Sequence, residues 1–129
     1  MKPVKRGIVL FAHGSRDARW REPVEAVARR ISEREPDVLV RCAYLELVEP
    51  DLPAAVAQLV SLGATHVRVV PMFLGIGKHL REDLPKLMAQ SAATHAGIAI
   101  TLQKAIGEEP AVIDLLARIA CEDGQDATR

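Results

Sequence analysis

Three short stretches of the chain carry side chains that could act together on a metal ion. "FAHGSR" sets His13 directly after an apolar run, with Gly14, Ser15 and Arg16 behind it. "AYLELVEP" sets Glu46 after a second such run. "VVPMFLGIGKHLREDLP" ends a third run in Pro71, passes through Gly75 and Gly77, and presents Lys78 and His79. Imidazole suits cobalt, nickel, iron and zinc, while a carboxylate adds charge or accepts protons. Histidine titrates near neutral pH, so it can coordinate as a neutral base or take up a proton. Gly14, Gly75 and Gly77 are expected to allow tight turns and close approach of a flat ligand to the backbone.

The elements between these stretches must bring them together. Continuous β-rich runs fall at 7–12, 38–45, 67–70 and 98–102, and helical spacing separates them. Trp20, Val24, Val27 and Ile31 form the first helical set; Leu52, Val56, Leu59 and Val60 form the second. Leu84, Leu87 and Met88 follow, and Val112, Leu115, Leu116 and Ile119 close the series. Four strand-then-helix units imply right-handed crossovers and a parallel sheet covered on both faces. The simplest arrangement is a three-layer, flavodoxin-like α/β domain with strand order 2-1-3-4. Ligands of such sheets bind beyond the carboxyl ends of the strands, where His13, Glu46 and His79 would share one rim.

Local punctuation supports these elements. Asp51 is expected to cap the second helix, with Pro53 in its first turn and Gly63 at its end. Pro110 fits the first turn of the last helix. Pro85 would interrupt a helix running from Lys78, so the third helix is expected near Asp83, leaving His79 on a loop or separate turn. Residues 1–121 read as a single domain, and the polar stretch 122–129 as a frayed tail.

Totals narrow the classes. A length of 129 residues with 49% apolar and 26% charged side chains suits one globular domain. Seventeen basic residues balance seventeen acidic ones, which gives no support to a nucleic-acid partner. Two Phe, one Tyr and one Trp make base-stacking platforms a poor fit. The apolar run 8–12 is too short for a membrane span or a signal segment and reads as the first strand. Cys42 and Cys121 form no paired motif and suit a reducing cytoplasm. A P-loop is excluded because Met72 stands at its first glycine position and His79 follows Lys78; GxGxxG fails at Leu80.

Taken in order, the three motifs resemble the class II tetrapyrrole chelatases, most nearly the small sirohydrochlorin cobaltochelatases, with iron and nickel chelatases as relatives. The resemblance runs from about Gly7 to Gly107. It implies nucleotide-independent insertion of a divalent metal into sirohydrochlorin for cobalamin synthesis, with no tightly bound cofactor and with Co2+, or alternatively Fe2+ or Ni2+, as substrate. By motif position it implies His13 and His79 as the metal-binding pair, Glu46 as the acidic site residue, and a homodimer.

Insertion releases two pyrrolic protons, for which Glu46 or a histidine could be the general base. Arg16, Arg19 and Lys78 are candidate anchors for the substrate's carboxylates. Ser15 reads either as a hydroxyl donor to substrate or as a turn residue. Met72, Phe73 and Leu74 could line an apolar wall, with Phe73 equally suited to the core. His66 and His95 are expected at the surface, away from the site. Outside the enzyme class, a carrier that binds metal or tetrapyrrole without catalysis would use the same residues. A response-regulator-like domain would require an acidic cluster where His13 stands.

Overall fold

Strands and helices alternate in the computed structural model, which describes residues 3–123. The order is β1 (Arg6–Ala12), α1 (Ala18–Arg34), β2 (Leu39–Tyr44), α2 (Leu52–Ser61), β3 (His66–Pro71), α3 (Lys78–Thr94) and β4 (Ala99–Leu102). A 3-10 turn, Ile106–Glu108, then leads into α4 (Pro110–Cys121). All strand pairs are parallel and the sheet order is β2-β1-β3-β4, as the periodicity implies. Residues 124–129, most of the expected polar tail, lie outside the described residues.

Register divides the sheet into two faces. Val9 sits beside Val69, and Phe11 beside Ala43 and Pro71. With Val67 these side chains meet Leu52, Val56 and Leu59 of α2 and Leu84 of α3 in one buried cluster. Each such side chain contributes about 1.5–3 kcal/mol when fully buried, so this side anchors the domain. On the opposite face α1 lies over β2 and β1: the Cys42 thiol reaches the Val24 carbonyl oxygen at 3.9 Å, and the rings of Trp20 and Tyr44 stand 6.4 Å apart.

The expected caps are present at α2, where the Ala54 N–H donates to Asp51 Oδ1 at 3.0 Å and Gly63 follows the helix at φ 102°. The third helix departs from expectation. α3 starts at Lys78 and carries Pro85 within it, so His79 belongs to its first turn and not to a loop. Pro85 removes one backbone donor, but it faces solvent, where water can satisfy the released carbonyl, while Leu84 beside it is buried. α4 departs too. None of its residues is buried, and its substantial packing is on the 3-10 turn, so it does not cover the sheet face beside α1.

Candidate active site

The tips of β1 and β2 are joined one step past the strands. The Leu45 N–H donates to the Ala12 carbonyl at 2.9 Å, and the Glu46 N–H to the His13 carbonyl at 3.1 Å. This backbone stitch brings His13 Nε2 to 3.1 Å from Glu46 Oε1, with both side chains about half exposed. Gly14 makes the approach possible: its φ is 108°, and a Cβ there would fall on the Glu46 carbonyl oxygen. On the other side of Glu46 the chain makes a γ-turn, the Val48 N–H donating to the Glu46 carbonyl at 2.9 Å with Leu47 at φ 71°. A non-glycine residue in that region costs about 1–3 kcal/mol and persists where neighbours enforce it. Here the Tyr44 N–H donates to the Pro50 carbonyl at 2.9 Å and closes the loop.

A pocket of about 400 Å³ opens beneath this loop, lined by Tyr44, Glu46, Glu49 and Asp51 among others. It contains no histidine and lies on the α2 side of Glu46. Burial, and next the neighbouring Cys42, push the Tyr44 hydroxyl up to about 12, so it remains a neutral group at working pH. Burial likewise raises the Cys42 thiol.

The third tip is the segment between β3 and α3. The Met72 N–H donates to the Phe11 carbonyl at 2.7 Å, continuing the pairing with β1. Phe73 turns inward, its ring in edge contact with Phe11 at 6.0 Å, so its ring serves the core, while Leu74 is 72% exposed at the rim. Gly75 and Gly77 have open space where a Cβ would stand, and neither has positive φ. The chain bends at Leu74 and Gly75 without using the left-handed region, and both glycines leave an unobstructed backbone. His79 is exposed in the first turn of α3, whose N-terminal N–H groups receive no side-chain cap.

Sheet order β2-β1-β3 thus sets Glu46, His13 and His79 on three successive tips of one rim. Only the first two are in contact. Among the described residues no three His, Cys, Asp or Glu side chains are grouped closely enough to hold a metal, so the full set is not preassembled. Ser15 Oγ accepts from the Asp17 N–H at 3.0 Å, a turn role that still leaves its hydroxyl hydrogen to donate. Asp17 caps α1 through the Arg19 N–H, and Arg21 donates to the Ser15 carbonyl at 3.2 Å, fixing the loop behind His13. Arg16, Arg19 and Lys78 are exposed and make no ion pair among the described residues. His66 lies at the far end of β3 against Thr65 Oγ1 (2.8 Å), and His95 ends α3, so neither joins the rim.

One contributor escaped the sequence reading. The Gly107 N–H donates to the Phe73 carbonyl at 2.9 Å, and a Cβ on Gly107 would fall on the backbone of Leu74. The 3-10 turn therefore clamps the segment that leads to His79. Its only sequence signal was a glycine between Ile106 and Glu108.

The family model described as CbiX matches residues 7–123, the span that contains all three tips and the clamp. The chain belongs to the CbiX family. A sirohydrochlorin cobaltochelatase of Methanococcoides burtonii is 30% identical over 126 residues, spanning 92% of this CbiX chain and 96% of that protein. A chloroplastic sirohydrochlorin ferrochelatase of Arabidopsis thaliana is 31% identical over 85% of this chain, which spans 49% of its length. Among solved structures, a CbiX protein from Marinobacter aquaeolei superposes with a TM-score of 0.75 at 36% identity, covering 89% of this chain and 93% of the other. The sirohydrochlorin chelatase SirB from Bacillus subtilis subspecies spizizenii, in complex with cobalt, gives a TM-score of 0.75 at 28% identity over 89% of this chain and 49% of its own.

Proposed function

We propose that this CbiX chain is a sirohydrochlorin chelatase that inserts Co2+ into the ring without nucleotide hydrolysis, serving cobalamin synthesis. The observation that carries the reading is the contact between His13 and Glu46 at the rim, with His79 on the adjoining tip. The relatives named above as sirohydrochlorin cobaltochelatase and chelatase support the substrate and the metal.

Insertion exchanges two pyrrolic protons for one divalent ion. With the Nε2–H of His13 donated to Glu46, the imidazole lone pair lies on Nδ1, available to the incoming metal. The carboxylate holds the ring's tautomer and accepts a proton released nearby. His79 supplies the second imidazole as the substrate settles over the open backbone at Gly75 and Gly77. The ring's carboxylates are met by Arg16 and Lys78, by the uncapped start of α3 and by the Ser15 hydroxyl. Because the metal is a substrate, incomplete preassembly is functional: a closed site would retain the ion. The chain acts in a reducing cytoplasm, where its two free cysteines are stable, and as a homodimer, since an open rim gives a broad macrocycle a single wall. Iron is the second reading, supported by the Arabidopsis relative's name and by a structure of Bacillus subtilis SirB with Fe3+.

The test follows the absorbance of sirohydrochlorin, anaerobically, with Co2+, Fe2+ or Ni2+. The parent protein should metallate many equivalents, fastest with Co2+. His13→Ala and His79→Ala should each slow turnover by roughly 10²-fold, and Glu46→Gln should flatten the acidic limb of the pH–rate profile. Parent-like turnover in both histidine variants would refute the assignment, and binding without acceleration would make the protein a carrier.

A further inference from the structure

The first turn of α1 runs against the helix rule. It carries Arg19 and Arg21 and no acid, although the positive end of a helix macrodipole favours carboxylates. Arg19 is exposed, but Arg21 is partly buried. Its Nη1 donates to the Ser15 carbonyl at 3.2 Å, two residues beyond His13. A guanidinium stays charged and holds several N–H donors in a planar fork, most of which a single carbonyl leaves unused.

Arg21 has no acidic partner among the described residues, whose two ion pairs are Arg6 with Glu35 and His13 with Glu46. The acids one turn away on either side do not answer it. Asp17 gives Oδ1 to the Arg19 N–H as the helix cap, and Glu25 is exposed. Arg41 is the other partly buried arginine among the described residues, and it bonds the Val40 carbonyl in mid-strand opposite Val9, away from the rim. Withdrawing a charge from water costs free energy that a partner must offset. At Arg21 the protein supplies one neutral carbonyl toward that offset.

The surroundings fit a flat, acidic ligand. Burial first, then Cys42 and Glu25, raise the Tyr44 hydroxyl, and the Arg21 charge acts on it in the opposite direction. The Trp20 ring lies 6.4 Å from that of Tyr44 and keeps 38% of the residue's surface exposed. Trp20 and Arg21 therefore converge on Tyr44, between the β2 tip that leads to Glu46 and the β1 tip that bears His13. On the other flank of Glu46 the pocket under the β2–α2 loop is lined by Glu49 and Asp51. A ligand's carboxylates are repelled on that side and attracted toward α1.

We infer that Arg21 is a specificity-determining anchor that receives a carboxylate of the tetrapyrrole and turns that edge of the ring toward α1. The identity of the ring rests on the chelatase reading. A guanidinium offers a carboxylate two parallel hydrogen bonds, which the point charge of a lysine does not. Because the same side chain is tied to Ser15, the anchored ring is referenced to the loop that holds His13.

The test titrates sirohydrochlorin, anaerobically and without metal, into the parent, Arg21→Gln and Arg21→Lys. Trp20 is the only tryptophan of the chain, and a tetrapyrrole bound beside it quenches its emission. Arg21→Gln should bind the ring roughly tenfold more weakly, the loss expected for one hydrogen-bonded charge pair. Arg21→Lys should recover part of that loss, and circular dichroism should show both variants folded. In turnover with Co2+ the defect should appear in KM more than in kcat. Parent-like ring affinity in Arg21→Gln overturns the inference, and a lowered kcat beside it would show that Arg21 only steadies the Ser15 loop. Failure of the chelatase reading looks different: the parent would bind the ring without metallating it, and the same metal-free titration would still decide whether Arg21 holds a carboxylate.

Discussion

Replacing Gly14 by alanine would place a methyl group on the Glu46 carbonyl oxygen, at a residue whose φ of 108° already disfavours any side chain. The strain of that backbone region and the displacement needed to clear the carbonyl together cost about 2–5 kcal/mol. The displacement would fall on the backbone that carries His13 and Glu46. Gly14→Ala should therefore lower the urea midpoint, and the surviving folded fraction should metallate sirohydrochlorin far more slowly than the parent. Gly75→Ala is the control: a Cβ there meets nothing within the protein, so stability should stay within about 0.5–1 kcal/mol of the parent. An unchanged midpoint for Gly14→Ala would show that the β1–β2 stitch tolerates the methyl. The sequence placed all three glycines near the candidate ligands His13 and His79, but local residue types could not show which one lay against another strand's carbonyl.

At the scale of elements, α3 shows where local rules stop. Its core positions Leu84, Leu87 and Met88 were legible from spacing, yet Pro85 suggested a boundary, and the helix instead runs from Lys78 to Thr94. Solvent exposure of Pro85 decides the matter, because a lost donor on the wet side is compensated by water while the buried side keeps its packing. Exposure is a tertiary property that spacing alone did not reveal. The strands were readable for the opposite reason: a parallel sheet buries most residues of its central strands, so Val9–Ala12 appears as an unbroken apolar run and Val67, Val69 and Val70 as a β-branched cluster interrupted only by exposed Arg68. Pro85→Ala restores the N–H that can donate to the Arg81 carbonyl and removes a helix-interior proline. The gain in helix propensity, less the added freedom of the unfolded chain, amounts to roughly 1–2 kcal/mol of stabilisation. Urea denaturation should show the higher midpoint; a lower one would mean that the proline's geometry shapes the start of α3, including His79.

The whole subunit is unevenly sealed. Its deep core lies between the sheet and α2 with α3, while α4 and the β3–β4 face remain open to solvent. Sequence periodicity marked α4 as amphipathic but could not tell whether its stripe meets its own sheet or another. If a second copy fills that role, folding and association are linked, and the unfolding temperature must depend on protein concentration. Each tenfold increase in a bound partner's concentration well above its Kd adds about 1.4 kcal/mol of stabilisation. Calorimetry across a wide dilution series should show the parent's unfolding temperature climbing with concentration. Leu116 is already 44% exposed in the single subunit, so Leu116→Asp should cost that subunit little and make its unfolding temperature independent of dilution. Two copies of the chain joined by a long polar linker should also lose the dependence while keeping the parent's upper value, because the partner is then held at a fixed effective concentration. A parent whose transition does not move with dilution would leave α4 without a partner copy and would require another reason for its exposed stripe.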